Sequence, residues 1–444
     1  MLRLNRRRGL QLGLGALAGT TFLGRNGAFA AVAVSDVALP QYEIEEGAQL
    51  RVLRPSKFVE GDERLFLENT RKFTEQTGVD VTVESESWED LRPKTAVAAN
   101  VGSGPDVVLA WQEDPHLYPG KTLDLTELAT YLGEKYGGWF PVAEHYGRNQ
   151  EGQWIAVPFG GAGSTMVYRQ GWVKEAGFET MPGDFEGFLE LCRALQESGH
   201  PAGFALGHAV GDAGWTDWVL WGFGSSLIDE ENRVVINNPK TVEALEYGKE
   251  LYQTFVPGTL SWLDPSNNKA FLAGQVALTG NGISIYYAAK NSDDPTMQDL
   301  AVDIGHVSYP VGRVGFPTQG ALVINAMIFD YTPYPNAAQE YLRFMMEEEQ
   351  YAAWQEASIG YWCHPLQAYD KLSLWTDDPK ATPYRDIMRN ALPQSYKGPP
   401  SEAAAAVKAD FVVVDMFQSV CADQLSPKEA AAEAERRALR YFDA

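Results

Sequence analysis

From residue 50 to residue 114 the chain alternates strand, helix, strand, helix, strand, and this order constrains the fold more than any other feature. Residues 50–53 read as a short first strand. Residues 63–76 read as an amphipathic helix with Phe66, Thr70 and Phe73 on one face, stopped by Gly78. Val79, Val81 and Val83 alternate as a strand, and a helix through 96–101 leads to the apolar run 107–110. Two successive strand–helix–strand units predict a parallel sheet with right-handed crossovers. The loops after its strands then emerge on one edge, where open α/β sheets bind ligands. The first of these loops, 84–90, sets Trp88 among acids, and the second is Trp111, Gln112, Glu113 and Asp114. An aromatic face for C–H surface beside hydrogen-bonding groups for hydroxyls suits a polyhydroxylated ligand. The competing reading is a strand that simply runs into a solvated acidic loop.

At 444 residues the chain exceeds one compact core, so two domains are expected. The formal net charge is −23, and it is −28 without the first 30 residues, which carry five arginines and no acid. Such a chain repels nucleic acid and anionic membrane surfaces, which excludes both as expected partners. The three cysteines, Cys192, Cys363 and Cys421, are too few for a disulfide framework or a four-thiolate metal site, though Cys363 and Cys421 could pair. Cys192 falls on the apolar stripe Phe185, Phe188, Leu189, Leu195 and is expected in a core. Six histidines form no tight ligand spacing, and neither H-E-x-x-H nor G-x-S-x-G occurs, so no metal, cofactor or catalytic residue is expected.

Residues 1–30 read as a signal peptide: Arg6-Arg7 precede a weakly apolar, glycine-rich run to Leu23, and Ala28-Phe29-Ala30 offers small residues for cleavage. The pattern resembles a twin-arginine signal, except that Gly9 stands where a large apolar residue is usual. With no cysteine near the cleavage site, a soluble periplasmic protein without a lipid anchor is expected. A polar linker follows over 31–49.

Further on, an apolar strand runs into Pro158, Gly160, Gly161 and Gly163 before resuming at 166–168, and this reads as a flexible crossing between domains. A helix over 184–196 and a short strand over 204–206 follow. Trp215, Trp218 and Trp221 share one helix face; two read as core, whereas Trp215, beside Asp212 and Asp217, is the expected ligand contact together with Asp212. Asn238-Pro239 caps and begins a helix to residue 252. A strand over 276–279 ends in Asn281-Gly282, which could equally be a structural turn. Gly312 to Gly320 reads as a second crossing, before an apolar strand over 321–325. Helices then dominate to the end, the last opened by Ser426-Pro427-Lys428-Glu429.

In order and spacing these segments resemble the extracellular solute-binding proteins of bacterial carbohydrate ABC importers, the maltose-binding-protein-like class. The matching segments are PDVVLAWQED, WIAVPFG, MVYRQGWVKEAGF, FLAGQVALTGNGIS and SPKEAAAEAERRALRYF. The resemblance implies an α/β periplasmic-binding-protein fold, two α/β lobes with a central ligand cleft and hinge crossings. It implies a first lobe of 50–158 plus 310–360 and a second of 159–309 plus 361–444, with crossings near Pro158, near Tyr309-Pro310 and near Gly360. It also implies ligand contacts from Trp111, Gln112, Glu113 and Asp114, and from Asn281, Ser284 and Tyr286. The function implied is that of a monomeric receptor, not an enzyme, which captures a sugar or polyol and delivers it to ABC transporter permease subunits. The same acids and aromatics could instead serve a polyamine or another small polar cation, or a pair of carboxylates an exported glycosidase.

The export reading is tested by replacing Arg6 and Arg7 with Lys. Uncleaved precursor should accumulate in the cytoplasm; normal mature protein in the periplasm would contradict twin-arginine export.

Overall fold

A computed structural model describes residue 32 and residues 34–442, so the expected signal peptide and its cleavage site lie outside the described residues. The opening alternation is present. Strands β1 (Gln49–Pro55), β2 (Asp80–Glu86) and β3 (Val107–Trp111) are joined by helices α1 (Glu60–Thr77) and α2 (Trp88–Val101). β1 pairs parallel with both β2 and β3. Phe66, Thr70 and Phe73 are buried on α1, and Gly78 ends it at φ 78°, its N–H donating to the Thr74 carbonyl. Every residue of β3 is buried, as a central strand covered on both faces requires.

Two more strands complete this sheet from far along the chain. Its order is β2-β1-β3-β8-β4, with β4 at Val157–Gly163 and β8 at Ala321–Ile328. β8 lies antiparallel between β3 and β4, so the sheet is mixed rather than wholly parallel. A second, antiparallel sheet has the order β6-β5-β7, from β5 (Thr165–Arg169), β6 (Leu278–Asn281) and β7 (Ile304–Val307). Two α/β lobes result, each with its own sheet. The expected strand at 204–206 is absent; Ala202 forms only isolated bridges to Phe255 and Leu278.

The glycines of β4 do a different job from the flexible one expected. A Cβ at Gly160 would lie 2.8 Å from that of Trp362, at Gly161 2.3 Å from the Met388 sulfur, and at Gly163 2.5 Å from Ile387. They are small because another segment packs directly on the strand, and overpacking there costs about 1–3 kcal/mol. The passage between sheets is therefore short, from Gly163 through Ser164 to Thr165.

The second crossing runs from β7 to β8, and the third lies later than expected. Residues beyond Gly360 still pack on the first lobe: Cys363 bonds to Gly161, Phe140 N–H donates to the Pro365 carbonyl, and Tyr369 Oη donates to that of Met346. Residues 378–384 touch the second lobe as well, with Asp378 accepting from Tyr286 and Tyr384 from Thr165, and the final passage is made at 392–400. There Leu392 N–H reaches the Gln319 carbonyl, Gln394 N–H the Tyr146 hydroxyl, and Lys397 N–H the Ile228 carbonyl. The closing helices, including Pro427–Phe442, then bury their alanines in the second lobe's core. The polar segment before β1 is also anchored, since Ser35 N–H donates to the Lys135 carbonyl and Glu45 accepts from Asn336 and Ala337. All three cysteines are free and buried, Cys363 in one core and Cys421 in the other, so the pairing left open by the sequence is not made.

The third crossing rests on a buried acid. Glu113 is 2 % exposed; its Oε1 accepts the Ser395 N–H at 2.7 Å, and its Oε2 has no partner. Burial pushes its carboxyl up to about 7, against the Ser395 hydrogen bond, which lowers it. Between about pH 4.5 and 7 the folded chain thus holds a proton that the unfolded chain releases, and stability falls as pH rises through that window. Urea melts at pH 5 and pH 8 should show Glu113→Gln matching the wild type at pH 5 and exceeding it at pH 8, by up to about 3 kcal/mol. An equal difference at both values would contradict this assignment.

Candidate functional site

The site begins where β3 stops. Gln112 adopts φ 23°, a sparsely populated region for a residue with a side chain. β8 holds it there: Gln112 N–H donates to the Val323 carbonyl at 2.7 Å, and the buried Asn325 Nδ2 donates to the Gln112 carbonyl at 2.5 Å. This turn keeps Trp111 in the sheet core, 4.8 Å from Trp88 between ring centroids, and sends the Gln112 side chain into the cleft between the lobes.

The cleft has three connected parts. The central cavity is met by Gln112 from the first lobe, Gln319 from the crossing before β8, and Gln394 from the last crossing. Trp218 and Trp221, on the helix Trp215–Gly222, supply its aromatic wall. Gln319 is 3 % exposed and its Oε1 has no partner. Trp218 Nε1 is tied to the Pro310 carbonyl at 2.8 Å, whereas no hydrogen bond among the described residues uses the Trp221 indole N–H. A buried acceptor without a partner costs about 1–3 kcal/mol, which a ligand hydroxyl would relieve.

A second cavity continues past Ser164, Gly211 and Leu322 to Trp88, Asp212 and Asn281. Its Asp264 is 2 % exposed and accepts three backbone N–H groups, from Val210, Gly211 and Asp212, at 2.7–2.9 Å. Burial raises the Asp264 carboxyl and those donors oppose the rise. Asp212, beside it, is raised well above the usual carboxylate range by burial and then by the Asp264 charge. The third part shares Gln112, Gly214 and Gln394 with the first and is flanked by Arg92 and Lys408. Both cations are paired, Arg92 with Asp114 at 2.9 Å and Lys408 with Asp217. Burial raises the Asp114 carboxyl, and Arg92 counters it.

Of the residues expected from the sequence, Trp88, Gln112, Asp212 and Asn281 meet at the cleft. The others stand behind it or elsewhere. Trp111 is fully buried, Glu113 supports the last crossing, and Asp114 neutralises Arg92. Trp215 is core: its Nε1 donates to the Ala205 carbonyl at 2.7 Å, and its ring lies among Phe204, Phe255 and Phe417. Ser284 accepts from Asn268 and Asn281, positioning the latter. Tyr286 donates to Asp378 at 2.7 Å, away from the cavities. The helix drifts about 60° for every three residues, so the face that buries Trp215 turns Trp218 and Trp221 toward the cleft. Gln319, Gln394, Phe58 and Tyr361 are not among the expected site residues; the Gly/Pro-rich punctuation around Gln319 and the crossing expected near Gly360, beside Tyr361, were the signals near any of them. Among the described residues no cluster of histidine, cysteine and acidic side chains could hold a metal ion, and no helix is long and apolar enough to cross a membrane.

This architecture has solved counterparts. A sugar transporter from Arthrobacter chlorophenolicus A6 with bound laminaribiose matches at TM-score 0.77 and 17 % identity, over 89 % of this chain and 99 % of that one. Maltose-bound T. maritima MalE3 matches at 0.73 and 18 %, over 88 % and 99 %. An ABC transporter solute-binding protein from Agrobacterium radiobacter K84 in complex with ribitol matches at 0.72 and 19 %, over 89 % and 99 %. At these identities the likeness establishes the periplasmic-binding-protein fold. A probable ABC transporter-binding protein of Deinococcus radiodurans is 24 % identical over 208 residues, 44 % of this chain, and the match spans 47 % of that relative's length. The family profile of bacterial extracellular solute-binding proteins matches residues 69–383, well over half of the sequence, and the chain therefore belongs to that family.

Proposed function

We propose that the protein is a periplasmic receptor that captures a sugar or polyol in the cleft between its lobes and delivers it, as a monomer, to the permease of an ABC transporter. The observation that carries this reading is the convergence of three amides, Gln112, Gln319 and Gln394, from three separate segments beside Trp218 and Trp221. An amide both donates and accepts, as a hydroxyl does, and indole faces cover the C–H surface of a sugar ring. A wrong epimer leaves a buried amide atom unpaired at a cost of about 1–3 kcal/mol. Bound laminaribiose, maltose and ribitol in structures of the same fold support a polyhydroxylated ligand. The solute-binding family supports a receptor rather than an enzyme, and the twin-arginine-like start supports export.

A thermal-shift screen of the mature protein over monosaccharides, disaccharides and sugar alcohols tests the proposal, since a ligand bound only by the folded form raises its melting temperature. For the carbohydrate giving the largest shift, Trp221→Ala should weaken binding by about 1–3 kcal/mol. Trp215→Ala should instead destabilise the empty protein by about 3–5 kcal/mol, as loss of a core aromatic does. No shift across the panel would contradict the proposal; a binding defect confined to Trp215→Ala would contradict the assignment of the two tryptophans.

A further inference from the structure

The second cavity differs in chemistry from the first. Its aromatic side is a cluster: Phe58 and Trp88 meet edge to face at 4.6 Å, and Phe58 and Tyr361 stack at 6.2 Å. Its polar side is made of acceptors. Asp264 accepts three backbone N–H groups, and Asp212 adjoins it. No Lys, Arg or His lines this cavity. Asn281 is 5 % exposed and its Nδ2 is committed to Asn268 at 2.5 Å and Ser284 at 3.2 Å, which leaves its Oδ1 free to accept. Tyr361 is 4 % exposed and lines the cavity, yet no hydrogen bond among the described residues uses its hydroxyl. Two adjacent carboxyl groups, a spare amide oxygen and a spare phenol oxygen thus face the same space as three aromatic rings.

A neutral polyol could donate to these acceptors but would supply no counter-charge to two adjacent carboxyl groups, of which burial and the Asp264 charge push the Asp212 one up. An ammonium group donates three hydrogen bonds, supplies the missing charge and is attracted by aromatic faces. Resting on the carbohydrate reading of the cleft, we propose that the ligand is an amino sugar or amino polyol whose protonated amine binds at Asp212 against Trp88, Phe58 and Tyr361, with its hydroxyls reaching the amide-lined cavity. Asp212 is then the specificity-determining residue of the cleft. Its side chain meets that of Asn267, and its backbone N–H donates to Asp264 at 2.9 Å.

The test is calorimetric titration at pH 7 of the wild type and Asp212→Asn with matched probes. These are glucosamine, glucose and N-acetylglucosamine; glucamine and sorbitol; chitosan disaccharide and cellobiose; and spermidine. In at least one set the amine should bind the wild type ten-fold or more tightly than its neutral or acetylated counterpart. Asp212→Asn should abolish that preference while melting at or above the wild-type temperature, because burial and the Asp264 charge already disfavour a charge at this position and an amide carries none. A neutral probe bound as tightly as its amine, or a preference unchanged in Asp212→Asn, would overturn the ammonium site and leave the carbohydrate cleft standing. Spermidine bound above every hydroxylated probe would overturn the amino-sugar assignment. Failure of every carbohydrate, here and in the thermal screen, would overturn the reading of the cleft and this inference with it.

Discussion

The pairing of β8 with β3 on one side and β4 on the other is the contact on which the molecule depends. It joins segments more than 150 residues apart, with Trp111 opposite Ile324 and Gly161 opposite Val323. Through Val323 and Asn325 the same strand holds Gln112 at its unfavourable φ, and the approach to the strand carries Gln319 to the cleft. Asn325 is fully buried, and its Oδ1 has no partner, so the sheet's centre tolerates an unsatisfied acceptor at the residue that positions the site. Stability and recognition meet in one strand.

The electrostatics of the cleft follow from how each charge is compensated. Where Arg92 meets Asp114 and Lys408 meets Asp217, the charges cancel within the protein and serve to hold walls in place. Around Asp212 and Asp264 no cation among the described residues lines the cavity: three backbone N–H groups hold Asp264, and burial with the Asp264 charge pushes the Asp212 carboxyl up for want of a counter-charge. In a chain of net charge −23 the general field does not supply the deficit. A bound cation would.

Local patterns in the sequence carried the first three strands, through the alternation of Val79, Val81 and Val83 and the apolar run 107–110, but the second helix begins at Trp88, within what reads as an acidic loop. They failed where the reason for a residue lies far away in the chain. Gly160, Gly161 and Gly163 looked like a flexible link, yet what requires them is Trp362, Ile387 and Met388, some 200 residues downstream. The tryptophan stripe was legible as a helix face, but which turn of it reaches the cleft depends on Phe255 and Phe417 closing over Trp215. Acids next to aromatics pointed to loops that border the cleft. Within them, all of Gln112, Glu113 and Asp114 are buried, and what separates them is their partners: Gln112 lines the cavity, whereas Glu113 is tied to Ser395 and Asp114 to Arg92. Gln394 carried no local signal at all, since its position comes from the last crossing being pinned to Tyr146 and Glu113.

The central claim, that amides brought together from distant segments read the ligand, is tested most directly by titrating Gln319→Ala and Gln394→Ala with the carbohydrate that most raises the melting temperature. Each lost hydrogen bond is worth about 1–3 kcal/mol, so affinity should fall roughly five- to 150-fold, while the melting temperature of the empty protein stays near that of the wild type. Affinity unchanged in both variants would contradict the account.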